Sequence, residues 1–226
     1  VCIRFVRARP GPDYVSPLMS GPCDSRPADE IRPSWNIAPG TVQPVIYPAG
    51  VTRCVRWGYR GRRSAGKRLR TIMDAAVGGA AGSMWAPCWR EGRVIVPCDG
   101  WFEWLPQADG SQPYFIRRLD AEPLFMAAVT TLCADDDVRD DDGFMIVVAP
   151  AGNGVVDRHA RRPVVFAAPD ARAWIDAHTT PEQASRLVHR GALPADAFLW
   201  FPVSRAVNRA GTQDGPALIA RAASRI

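Results

Sequence analysis

Three side chains carry the chemistry this sequence can offer: Cys2 at the head of VCIRF, Glu103 in the block VIVPCDGWFEW (94–104), and His159 in DRHARRPVVF (157–166). A cysteine with a free α-amine places amine and thiol on adjacent carbons. The amine forms a Schiff base with an aldehyde, and closure by the thiol gives a five-membered thiazolidine. That route needs a free amine of pKa near 8, and Val1 precedes Cys2 here. With Val1 attached, the Cys2 nitrogen is an amide. If Val1 reflects an alternative start codon read as methionine, removal of the initiator exposes the reactive pair. The opposite reading of Cys2, a buried core thiol, is equally ordinary chemistry.

Glu103 is the one carboxylate of its block with apolar neighbours on both sides, Phe102 and Trp104. Burial there raises a carboxyl pKa into the range of general acid-base work, whereas a surface glutamate on the outer face of a strand stays acidic. His159 has Asp157, Arg158, Arg161 and Arg162 around it. A histidine in this setting holds a phosphate, relays a proton, or sits solvated on the surface.

The elements that must position these residues are short. Twenty-one prolines and nineteen glycines interrupt the 226-residue chain, which favours many strands joined by irregular loops over a helical bundle. Strands are expected over 3–7, 42–48, 52–57, 93–97, 113–118, 124–130, 144–149 and 163–166. Helices are expected over Pro169 to Ala177 and Pro181 to Val188, the latter with Thr179 and Thr180 as candidate caps. Segment 71–87 is apolar but carries Gly78, Gly79 and Gly82, which weakens a helix. The fold expected is α+β, a single domain over 1–226 with a mixed, barrel-like sheet core and peripheral short helices.

Composition narrows the partners. Lysine and arginine number 28 against 23 aspartates and glutamates, a formal charge of +5 that permits a polyanion without requiring one. The run RGRRSAGKRLR (60–70) packs six basic residues and no acid into eleven positions; a phosphate backbone suits Arg62, Arg63 and Lys67 there. The run DDDVRDDD (135–142) repels itself and reads as a solvated loop. The six cysteines are scattered and the three histidines dispersed, fitting neither a disulfide framework nor a zinc spacing. No apolar run reaches membrane-spanning length and the first residues lack a signal-peptide pattern, so a cytoplasmic protein is expected.

The blocks also fall in a telling order. VCIRF is similar to a Met-Cys-Gly-Arg-Phe start, WNIAPG (35–40) to an Asn-Ile-Ala-Pro motif, and RWGY (56–59) to an Arg-Trp-Gly segment. PCDGWFEW, QPYFI (112–116), FMAAV (125–129), HARRP (159–163) and VSRAVN (203–208) follow. Together they resemble the SOS-response-associated peptidase (SRAP) family over nearly the whole chain. The resemblance implies recognition of abasic sites in single-stranded DNA, with covalent capture of the sugar aldehyde by Cys2. It implies Glu103 as the acid-base carboxylate, His159 as a proton-transfer and DNA-contacting residue, and Asn36 as active-site scaffolding. Contacts to DNA are expected from Arg4, Asn36, Trp57, Arg161 and Arg162 beside the basic run, with no metal or organic cofactor and a monomeric protein. Two other functions fit the same residues: DNA binding without capture, and a thiol hydrolase using Cys2, Glu103 and His159. One motif is absent. Where the family carries Asn-Ala-Arg-x-Glu, this chain has TIMDAAVGG (71–79), with Met73 or Asp74 at the asparagine and Ala75 or Ala76 at the arginine.

Overall fold

The computed structural model describes residues 4–19, 31–61, 71–77, 85–151, 160–211 and 213–222. Two sheets dominate. The first is built from β1 (Phe5–Arg7), β2 (Ser34–Ile37), β7 (Gly100–Gln107), β8 (Gly110–Arg118) and β13 (Phe198–Pro202), in the order β13-β8-β7-β1-β2. The second is built from β3 (Val42–Ile46), β4 (Thr52–Arg56), β6 (Arg93–Cys98), β9 (Leu124–Thr130), β10 (Phe144–Pro150) and β11 (Arg161–Pro163), in the order β11-β10-β9-β6-β3-β4. Off that path β12 (Val165–Phe166) pairs with β9, and β5 (Asp74–Ala76) pairs with β10 in parallel, which makes the sheet mixed. The α-helices are α1 (Pro12–Val15), α2 (Ala86–Glu91), α3 (Ala168–Ile175) and α4 (Pro181–Arg190).

Strand alternation sorts the side chains into three apolar layers. Val94, Val96 and Cys98 of β6 meet Phe5, Trp101 and Ile116 between the sheets. Ile95, one residue out of phase, points the other way to join Trp174 and Ile175 of α3 and Ala184 and Val188 of α4. On the far side of the first sheet, Val6, Phe102 and Phe115 pack under Phe201, Val203, Val207 and Leu218 near the C-terminus. Each such side chain contributes about 1.5–3 kcal/mol of transfer free energy, and β6 and β9, buried on both faces, carry apolar runs over Val94–Cys98 and Leu124–Val129.

The helices follow their local signals. Thr180 caps α4 in a capping box: its hydroxyl accepts from the Gln183 N–H at 3.3 Å, and its own N–H donates to Gln183 Oε1 at 2.7 Å. The buried Arg93 guanidinium gathers backbone carbonyls at the ends of three segments, those of Trp89 (2.8 Å), Trp174 (2.8 Å) and Thr179 (2.8 Å) among them. A cation suits these positions, where helical carbonyls point outward unsatisfied.

The α+β class stands, but the barrel-like core does not. Among the described residues the end strands β13 and β2 do not pair with each other, nor do β11 and β4, so neither sheet closes. The physical cause lies at Asp99–Gly100. There the chain leaves β6 in one sheet and enters β7 in the other after a single intervening residue. Gly100 permits the crossing, because a Cβ on it would sit 2.2 Å from the Ile116 carbonyl oxygen. The Asp99 carboxylate fixes the corner by accepting from the Ala8 N–H at 2.5 Å, from Arg9 Nε at 2.6 Å and from the Tyr14 hydroxyl. Burial, reinforced by that carboxylate, raises the Tyr14 pKa and keeps the hydroxyl a donor.

Candidate active site

Glu103 lies on β7 directly opposite Tyr114 of β8 and is 2% exposed. Alternation puts it on the same face as Trp101, where the layer between the sheets ends. Burial pushes its carboxyl up to about 7. Such a group exchanges a proton near neutral pH, which the surface reading of Glu103 does not allow. Beside it runs β1, pairing Phe5 with Trp101; the Phe102 N–H donates to the Arg4 carbonyl at 3.1 Å.

Arg4 and Asn36 occupy the other face of the first sheet. Arg4 Nη1 donates to Asn36 Oδ1 at 2.8 Å and to the Val207 carbonyl at 2.9 Å. Asn36 Nδ2 donates in turn to the Arg209 carbonyl at 3.2 Å. Trp104 joins this strap, its Nε1 donating to Asn208 Oδ1 at 2.7 Å while the Arg4 guanidinium lies 6.0 Å from its ring centroid. The beginning of the chain is thereby tied to the turn at Arg205–Asn208. Trp104 and Asn208 belong to the sequence blocks FEW and VSRAVN, yet no feature of sequence spacing links them. Only the fold brings residues 104 positions apart into contact.

The remaining expected contacts divide. Trp57, expected to touch DNA, is placed in the core at 1% exposure, between Phe5 (centroids 5.2 Å) and Phe144 (6.2 Å, stacked). Its indole N–H donates to the Met73 carbonyl at 3.2 Å, so it holds the segment that replaces the missing Asn-Ala-Arg motif. That segment contains β5, whose Asp74 lies 3.4 Å from Nη1 of the exposed Arg161. A cation therefore does stand beside the altered motif, supplied by a residue 87 positions away. Arg162 turns inward, with Nη2 donating to the Leu193 carbonyl at 2.8 Å. Cys2, Arg62, Arg63, Lys67 and His159 lie outside the described residues.

Among the described residues no group of three or more histidine, cysteine, aspartate or glutamate side chains is placed to hold a metal ion. No described helix is long and apolar enough to cross a membrane.

Comparison with known proteins gives this arrangement a context. The model of the SOS response associated peptidase (SRAP) family matches residues 1–210. The chain is 36% identical over 224 residues to the abasic site processing protein YedK of Escherichia coli strain K12, covering 94% of this chain and 96% of that protein. It is 26% identical over 175 residues to the abasic site processing protein YMR114C of Saccharomyces cerevisiae, covering 71% of this chain and 45% of that protein. Among solved structures, a phage-related protein of Bordetella bronchiseptica superimposes with a TM-score of 0.75 at 29% identity, over 90% of this chain and 95% of that one. The chain belongs to the SOS response associated peptidase (SRAP) family.

Proposed function

We propose that this protein processes abasic sites in single-stranded DNA, capturing the ring-opened sugar through Cys2 as a thiazolidine. The observation that carries the reading is the buried Glu103 carboxyl, tuned to neutral pH beside the strand that begins the fold. Cys2 is two residues from Arg4, whose carbonyl accepts from the residue preceding Glu103. The relatives named as abasic site processing proteins supply the substrate class.

Capture begins when the neutral Cys2 amine adds to the C1′ aldehyde, giving a carbinolamine. Glu103, protonated, gives its proton to the departing hydroxyl, and water leaves as the Schiff base forms. The thiol then adds to the same carbon through sulfur, its proton returning to the carboxylate–imine pair, and the ring closes with one water lost overall. An iminium beside Glu103 favours the carboxylate, so the group that donates in the first step accepts in the second. His159, assigned by its motif, assists proton transfer, while Arg161 and the basic run at 60–70 meet phosphate.

A protein beginning at Cys2, mixed with a single-stranded oligonucleotide carrying one abasic site, should give an adduct that survives heating in denaturant. Cys2→Ala should give none, and an intact oligonucleotide should give none with either protein. Equal adduct from Cys2→Ala would defeat the reading.

The Arg161–Asp74 pair yields a smaller test. An exposed ion pair is worth about 0.2–1 kcal/mol, and Asp74 competes with phosphate for Arg161. Asp74→Asn should therefore tighten DNA binding by up to about 5-fold at low salt, with the gain shrinking as salt rises. Fluorescence anisotropy across a salt series measures it; weaker binding by the variant would show that Arg161 needs Asp74 to be held in place.

A further inference from the structure

The inner face of the first sheet does not end at Glu103. Tyr114, its cross-strand partner, places a half-buried ring on the same face. Two residues further along β8, Ile116 pairs with Trp200 of β13, so Trp200 shares that face as well. The two rings meet with centroids 5.5 Å apart. Their neighbours Trp101, Ile116 and Phe198 are covered by the second sheet, whereas Trp200 is 40% exposed, the one aromatic side chain among the described residues open to that degree. Burying it would be favourable by the usual transfer argument, and no core layer takes it in. The exposed Trp200 indole, braced by the Tyr114 ring at an interplanar angle of 59°, offers an apolar plate with polar tips, which is the chemistry that receives a nucleobase.

Resting on the reading above, we infer that Trp200 and Tyr114 form a stacking platform for a base next to the abasic nucleotide. Cβ atoms of directly paired residues lie about 4.5–5.5 Å apart, so the plate begins one side chain away from the Glu103 carboxyl. A sugar without a base offers nothing to stack; the base beside it does. The platform thus gives the site a hold on the strand through a neighbour whose identity is free to vary, since every base presents a π-face.

The test uses two fluorescein-labelled single-stranded oligonucleotides with a tetrahydrofuran abasic analogue, which cannot be captured. In one the flanking bases are present; in the other the two nucleotides on each side are abasic analogues as well. Wild-type protein should bind the first more tightly. Trp200→Ala should weaken binding to the first by about 5- to 150-fold and leave the second unchanged, and Tyr114→Ala should act in the same direction. Trp200→Phe should retain most of the affinity, which separates lost stacking from a disturbed strand. Equal binding of both probes by wild type, or an equal loss on both in Trp200→Ala, would overturn the platform while adduct formation with true abasic DNA still upheld the reading. Wild-type protein that neither binds nor captures would overturn both.

Discussion

Replacing Glu103 with glutamine should slow adduct formation by about 10²- to 10⁴-fold, the range that a positioned acid-base group contributes, and should at the same time stabilise the fold above neutral pH. The second effect follows from burial. The carboxyl titrates at about 7 in the folded protein against 4.5 as its ordinary value. Between those values the folded state keeps a proton that the unfolded state has released, so stability falls as pH rises through that window. Below it, both states are protonated and nothing is lost. Above it, the loss is on the order of 3 kcal/mol, at 1.36 kcal/mol per unit. Glutamine preserves shape and cannot ionise, so the variant should gain stability over wild type at pH 8 and little or none at pH 4. Urea unfolding at the two pH values, beside an adduct time course, checks both halves. A variant no more stable at pH 8 would mean that the carboxylate finds compensation in the folded state, and an unchanged capture rate would remove Glu103 from the mechanism. A residue that costs stability at working pH is placed there for chemistry more readily than for packing.

The sequence made some of this legible and hid the rest for identifiable reasons. Strands with alternating or fully apolar patterns, such as those expected over 93–97 and 124–130 and found as Arg93–Cys98 and Leu124–Thr130, declared themselves, and so did α4, where Pro181 follows a cap that the structure shows to be Thr180. What periodicity does not contain is which sheet a strand joins. VIVPCDGWFEW reads as a strand-like run, expected over 93–97, followed by a turn, yet Asp99 and Gly100 switch the chain into β7 of the other sheet, and the expectation of a barrel-like sheet core fails at that corner. β5 stayed hidden because three residues of small side chains become a strand only by pairing with Ile146–Val148 of β10. β13, FLWFP, lacks alternation because Phe198 and Phe201 bury on opposite faces while Trp200 remains open. The site divides along the same line. Glu103 could be named from its aromatic flanks, although flanks alone left burial and exposure equal; its rung with Tyr114 settled that. Trp57 looked like a contact residue in RWGY and is a core residue, because β4 delivers it between Phe5 and Phe144. The Arg161–Asp74 pair joins two motif regions that no local pattern connects.

Protein that retains Val1 should give no heat-stable adduct with abasic DNA, while protein beginning at Cys2 should give it readily, the largest difference expected from any single change. With Val1 in place the Cys2 nitrogen belongs to a planar peptide bond, its lone pair delocalised into the carbonyl. It neither titrates near pH 8 nor adds to an aldehyde to form a Schiff base. The thiol still adds, but that product is a hemithioacetal that reverts on dilution or heating, so a denaturing gel does not retain it. Freed of Val1, the same nitrogen is an α-amine of pKa about 7.7–8.0, with a substantial neutral fraction at physiological pH. On the proposed reading, an ammonium within reach of Glu103 would also favour the carboxylate, coupling the two titrations so that the pH profile of capture belongs to the pair. Intact mass measurement of each preparation must come first, because the two forms differ by one residue and only the mass states which is present. Both are then incubated with an abasic single-stranded oligonucleotide, heated in denaturant and resolved, with Cys2→Ala in parallel. If the form beginning at Cys2 gives no more adduct than Cys2→Ala, replacement of the Asn-Ala-Arg positions by the segment around Asp74 has abolished capture, and Arg161 does not substitute for the missing arginine. If the form retaining Val1 gives as much as the form without it, the α-amine is not the nucleophile, and the reaction must run through the thiol or another amine of the chain.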